Sequence, residues 1–198
     1  MSRAASACGA RTYTSGVRTV DHVNLWCEVI ARHVPVDDRE ARSIERFLDV
    51  VPTLANPFDE DAGLLHVTAS AIVVSDAGDK VVLHLHKRLN MWLQPGGHIE
   101  AGESVFDAAM REATEETGLP VRHARPEGEF FHLDVHPGPR GHTHFDLRAL
   151  LVSPEVQPRP AAGESPEVAW FAWDEAAALA DEGLEGALRV ARARFPAA

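Results

Sequence analysis

Glu112, Glu115 and Glu116 stand at a spacing that can do chemistry. Residues three and four apart share a helix face, so a helix here gathers all three carboxylates within about a quarter to a third of its circumference. Like charges that close repel one another, and no lysine stands among them to relieve the repulsion. A bound cation does relieve it, and clustered hard oxygens suit Mg²⁺ or Mn²⁺. A solvated acidic face produces the same E-x-x-E-E run, so the spacing alone leaves both readings open. Arg111 borders the cluster and is placed to pair with Glu103 in the preceding loop. The Gly96-Gly97 pair permits close backbone approach, which adds a main-chain carbonyl to the candidate ligands.

The pattern around this stretch predicts the elements that must hold it. Residues 104–117 read as a helix, stopped by Gly118 and Pro120. Upstream, Leu65 to Val74 and Lys80 to Lys87 read as strands joined by the turn Asp76-Ala77-Gly78-Asp79. Pro95-Gly96-Gly97 reads as a break. Further strands are expected at 128–136, 143–153 and 167–173, followed by helices from Asp174 and from Leu184 to Phe195. Strands and helices mixed in this order favour an α/β sandwich around a mixed sheet. Residues 1–18, rich in Ser, Ala, Gly and Thr, are expected to be disordered. Residues 19–60 form an N-terminal helical extension of two short helices, capped at Asp37 or Asp38. Its apolar stripe of Leu25, Trp26, Ile30, Phe47 and Leu48 must bury against something, whether the active site or a second copy in a homodimer. Residues 61–198 form the main domain.

Composition narrows the class. The 198 residues carry 30 acids against 19 bases, a formal charge of −11, which argues against a nucleic-acid partner. No apolar run approaches the ~18 residues of a membrane helix. Cys8 and Cys27 are too few to build a zinc cluster or staple the fold, and the first 20 residues lack the apolar core of a signal peptide. A cytoplasmic location is the expectation.

The segment Gly97 to Leu119 fits the pattern G-x5-E-x7-R-E-U-x-E-E-x-G-U, with U bulky and apolar. Gly97, Glu103, Arg111, Glu112, Glu115, Glu116 and Gly118 meet every fixed position. At background frequencies of roughly 5–8% each, a chance match is on the order of 10⁻⁸ per window. This is the Nudix box, and the chain resembles the Nudix hydrolase family from about residue 62 to 198. Ala113 stands where the pattern prefers a larger aliphatic. The resemblance implies a Nudix-type α/β/α sandwich and a Mg²⁺-dependent pyrophosphohydrolase, with Mn²⁺ as a substitute. Its substrate would be a nucleoside diphosphate linked to another moiety. It also implies Glu112 and Glu116 as metal ligands, Glu115 as a further ligand or the base, and the Gly96 carbonyl as a main-chain ligand. Glu103 and Arg111 would orient loop and helix. In some subfamilies the base lies outside the box, and Glu164 and Glu167 are candidates for it, or else solvated loop acids. A non-catalytic nucleotide sensor is the alternative. An isomerase acting on isoprenyl diphosphates fits less well, because such proteins carry a degraded box and a core cysteine.

Beyond the box, His98 sits where Nudix loops approach phosphate, and Trp92 where an aromatic often stands, to stack on a base or to anchor the core. His84/His86 and His142/His144 are pairs that project to one side of a strand. His142, His144, Asp146 and Arg148 would share one strand face, read either as a substrate-facing wall or second metal site, or as a half-exposed face in solvent. Trp170, Phe171 and Trp173 are expected in the core. Downstream of the box Val135 occupies the position of the subfamily marks and Pro137 lies two residues late, so no substrate label follows.

Overall fold

The computed structural model describes residues 19–195, so the disorder expected for residues 1–18 lies outside the described residues. Among the described residues, eight strands make one mixed sheet. They are β1 (Leu65–Ser75), β2 (Lys80–His86), β3 (Met91–Leu93), β4 (Gly96–His98), β5 (Arg122–His123), β6 (Phe130–Pro137), β7 (Thr143–Ser153) and β8 (Val168–Ala172). β1 and β7 run parallel side by side, in register from Leu65 against Thr143 to Ser75 against Ser153. β2 and β4 flank β1 antiparallel, β5 and β6 flank β7 antiparallel, and β2 also carries β3 and β8.

Alternation along the two central strands sorts their side chains into two layers. Val67, Ala69, Ala71 and Val73 of β1 join Phe145, Leu147, Ala149 and Leu151 of β7 in one apolar cluster. Helix α3 (Val105–Thr117) covers that side, together with the N-terminal hairpin of α1 (Thr19–Ala31) and α2 (Asp38–Val50). Ile72, Val74, Leu150 and Val152 point the other way, under α4 (Trp173–Leu179) and α5 (Glu182–Arg194). The result is the expected α/β/α sandwich.

Asp37 caps α2, its side chain accepting the Glu40 amide at 2.9 Å. Val23, Trp26, Ile30, Phe47 and Val51 of the hairpin region are buried in the first cluster. Of the apolar stripe, Trp26, Ile30, Phe47 and Leu48 thus pack within the chain, while Leu25 stays partly exposed. The hairpin also closes a sheet edge. The outward amides of Leu133 and Val135 in β6 donate to Glu40 (3.0 Å) and to Ser43 (3.1 Å).

Three expectations change. The Pro95-Gly96-Gly97 break leads into β4, which pairs Gly96 with Ser70. A Cβ at Gly96 would sit 2.2 Å from the Ser70 Cβ, so glycine is what lets this backbone join the sheet. The aromatic trio divides: Trp173 is buried, whereas Trp170 and Phe171 are half-buried and pack into opposite clusters because they alternate along β8. The polar face of β7 is dry at Asp146 and Arg148, both 3% exposed, while His142 and His144 at its start are partly exposed. Arg148 Nε donates to Asp146 at 2.9 Å, and its Nη1 donates to the Gly183 carbonyl at 2.6 Å.

Gly118 ends α3 in the left-handed region (φ 65°), and a Cβ there would meet the Arg159 carbonyl oxygen at 1.8 Å. Gly118→Ala is therefore expected to destabilise the protein by roughly 2 kcal/mol or more, from φ strain and displacement of the loop together. Urea unfolding checks this, and a variant as stable as the parent would refute it.

Candidate active site

Ser104 caps α3, with its hydroxyl accepting the Asp107 amide, and Gly118 closes the helix. Between them Arg111, Glu112 and Glu116 face β4, with Glu115 beside Arg111. Arg111 Nε and Nη2 grip the two Glu103 oxygens at 2.8 and 3.0 Å, and Nη2 also donates to the His98 carbonyl at 2.9 Å. This fork ties the helix to the loop before it. The Arg111 guanidinium holds the Glu103 carboxyl below its ordinary range. Arg111 Nη1 reaches Glu112 at 2.7 Å and the half-exposed Glu115 at 3.3 Å.

Glu116 is the most enclosed of the three, its side chain 12% exposed. One of its oxygens accepts the Gly96 amide at 2.8 Å. Burial, reinforced by the charges of Glu112, Glu164 and Glu115, pushes its pKa up to about 8. Burial raises Glu112 as well, against the pull of Arg111. Gly97 makes room for the Glu112 carboxylate, which a Cβ would approach to 2.5 Å. The sign of the pH effect follows. A carboxyl raised in the folded state stabilises folding fully below about pH 4.5, and that contribution disappears as pH rises through about 8. The protein in EDTA is expected to melt several degrees lower at pH 9 than at pH 6, at roughly 2–4 °C per kcal/mol for this size. Equal melting temperatures would contradict the burial of Glu116.

A pocket opens beside Glu116, lined also by His84, His86, Lys87, Arg88 and Glu164. The long loop before β8 reaches it by crossing the C-terminal end of α3. The Ala161 amide donates to the Glu115 carbonyl at 2.7 Å and the Arg159 amide to the Thr117 carbonyl at 2.8 Å. Those are orphan carbonyls of a helix end, and binding them brings Glu164 to the cluster. The Lys87 ammonium donates to the Gly163 carbonyl and holds the loop from the other side. His84 Nδ1 lies 3.5 Å from Glu116, but burial lowers its pKa to about 4, so the ring is neutral there.

The other candidates are distributed elsewhere. Trp92 packs edge-on against Phe171, ring centres 4.9 Å apart, in the layer under α4 and α5. Glu167 is exposed just before β8. His98 turns its ring away from the pocket, toward Glu60 (3.1 Å) and the rings of His66 and His144. His142 and His144 belong to that same histidine group. Sequence reasoning missed His66 as well as Lys87 and Arg88. The H-x-H spacing signalled His84 and His86, but nothing local tied them to Glu116.

A mixed-sheet sandwich with carboxylates of one helix gathered against a glycine strand defines a class of proteins, and comparison with known proteins agrees. A family model for the NUDIX domain matches residues 64–192. The chain belongs to the Nudix hydrolase family. It is 31% identical over 138 residues to an m7GpppN-mRNA hydrolase (NUDT17) of Bos taurus, covering 58% of this chain and 44% of that one. The chain spans less than half the length of the curated relatives it first matches. Among solved structures, a NUDIX-family hydrolase from Clostridium perfringens superposes with a TM-score of 0.56 at 29% identity, over 66% of this chain and 95% of that one. A C. elegans Ap4A hydrolase shares the fold, with a TM-score of 0.56 at 19% identity over 65% of this chain and 96% of that one.

Proposed function

We propose that the chain is a Mg²⁺-dependent pyrophosphohydrolase that cleaves a nucleoside diphosphate linked to a second moiety, with Mn²⁺ a workable substitute. The observation that carries this reading is the convergence of Glu116 and Glu164 on one pocket, with the charge of Glu112 close enough to help raise Glu116 to about 8. The donor set fits a hard divalent cation: it is all oxygen, partly dehydrated, and short of positive charge, since Arg111 is shared with Glu103. Glu112 and Glu116 are the proposed ligands, with the Gly96 carbonyl beside them. Glu115 serves as a further ligand or as the base. Glu103 and Arg111 act as positioning residues, holding loop and helix at a fixed separation. When bound, the ion neutralises phosphate oxygens and lowers the pKa of an attacking water. Glu164, on the same pocket, is the candidate base from outside the box, and Lys87 and Arg88 offer positive charge to the phosphates. The formal charge of −11 does not oppose this, because the local field is set by the ion and these two cations.

The test is phosphate release, coupled through pyrophosphatase or phosphatase, from nucleoside triphosphates, nucleotide sugars, ADP-ribose and dinucleoside polyphosphates, with and without Mg²⁺. The Bos taurus relative, an m7GpppN-mRNA hydrolase, adds m7GpppN-capped RNA to the panel. Mg²⁺-dependent cleavage of one class, abolished by EDTA, is the expected result. Binding without turnover across the panel would overturn it in favour of a nucleotide sensor.

A further inference from the structure

On the opposite side of β4 from the Arg111 fork, residues from two segments distant in the chain bring imidazoles together. His66 lies near the start of β1, His142 just before β7 and His144 within it. Parallel pairing sets His66 directly against His144. The His66 ring centre is 5.1 Å from that of His142 and 4.9 Å from that of His144. One ring nitrogen from each residue lies within 4.8 Å of the others. We propose that His66, His142 and His144 bind one transition-metal cation of the Zn²⁺ type, independently of the carboxylate cluster on α3.

Two further observations support the site. The Nε2 atoms of His66 and His144 are buried without any hydrogen-bond partner, an arrangement proteins normally avoid. His66 Nδ1 faces the Gly63 carbonyl at 3.5 Å, which leaves the lone pair on Nε2. Gly138 keeps the space beside the His144 Nε2 open, where a Cβ would intrude to 2.4 Å. Burial, with His136, His66 and His98 nearby, keeps the His144 ring neutral, the form that ligates. Nitrogen donors select Zn²⁺ or its neighbours over Mg²⁺, so the two sites are chemically distinct. A fourth imidazole, His98, stands 5.1 Å from His66 and 5.6 Å from His144, oriented by the Glu60 carboxylate. An ion held here ties the start of β1 to the loop that enters β7.

The experiment is Zn²⁺ titration of the full chain, free of any polyhistidine tag and stripped with EDTA, in excess Mg²⁺. One equivalent should bind with sub-micromolar affinity, and Co²⁺ should give the visible bands of a nitrogen-ligated, low-coordinate ion. His142→Ala should weaken Zn²⁺ binding by roughly 100-fold and remove the Co²⁺ bands. Glu116→Gln should leave both unchanged. His142 is only partly buried, so its removal should not unfold the chain; His144→Ala and circular dichroism supply the controls. No tight Zn²⁺ binding, or binding lost in Glu116→Gln but kept in His142→Ala, overturns the proposal.

Discussion

Glu116→Gln is expected to lower metal-dependent turnover by about 10³-fold or more, equivalent to roughly 4 kcal/mol of barrier. The amide keeps the size of the carboxylate, and its oxygen still accepts the Gly96 amide. What it removes is the charge on the most enclosed of the three glutamates, the one proposed to hold the ion most closely. The variant should fold without difficulty. At pH 9 in EDTA it should be at least as stable as the parent, because it no longer buries a carboxylate against Glu112 and Glu164. Glu115→Gln is the comparison: that side chain is 49% exposed, and its loss should cost turnover less. Steady-state rates over a Mg²⁺ series and melting curves on the same samples check both halves. Full activity with an unchanged metal requirement would sink the assignment of Glu116, and a collapse of stability would show a structural role instead.

Arg148→Met is expected to cost roughly 3–5 kcal/mol of stability without touching the carboxylate pocket. Arg148 is the cation between two buried acids. Its Nε bonds Asp146, and its Nη2 approaches Asp134 at 3.7 Å. Asp146 keeps Thr68, Ser70 and Gln94 as neutral donors, but its charge then lies uncompensated in the sheet. Asp134 keeps Arg39 at 2.7 Å, so the damage should centre on Asp146. Methionine retains most of the apolar stem, which separates the electrostatic loss from a packing loss. The pH dependence gives a second readout. Both acids are held below their ordinary range in the fold, so their contribution is complete above about pH 4 and falls away in acid. The gap between parent and variant should therefore narrow as pH drops below 4. A gap that stays constant with pH would point to lost volume rather than lost charge.

Local signals carried much of the architecture. Ser104, Gly118 and the glutamate spacing delimit α3 in the sequence, and the period-two run from Thr143 to Ser153 matches β7 end for end. The Glu103–Arg111 pairing was legible because eight residues of loop and helix determine it. Features that depend on distant partners were not legible. β4 is a strand of two glycines and a histidine, with no periodicity to read until β1 lies beside it. His66 meets His144 only because segments 78 residues apart pair in parallel, and Glu164 reaches Glu116 only because its loop binds the end of α3. The polar face of β7 shows a different limit. Alternation reports which side of a strand a residue takes, but not whether that side meets water or another buried charge, as it does at Asp146 and Arg148.

The docking of α2 along β6 bears on how the chain behaves when cut. Glu40 and Ser43 occupy the amides of Leu133 and Val135, while Phe47 and Val51 plug the layer beneath. A fragment beginning near residue 59 would keep every residue of the Nudix box. It would also present a bare strand and an opened apolar face to its neighbours, the two ingredients of intermolecular sheet growth. Such a fragment should form large, polydisperse assemblies on sizing columns. Their size would report the loss of a guard segment, so recombinant work on the Nudix domain is best served by leaving the first two helices attached.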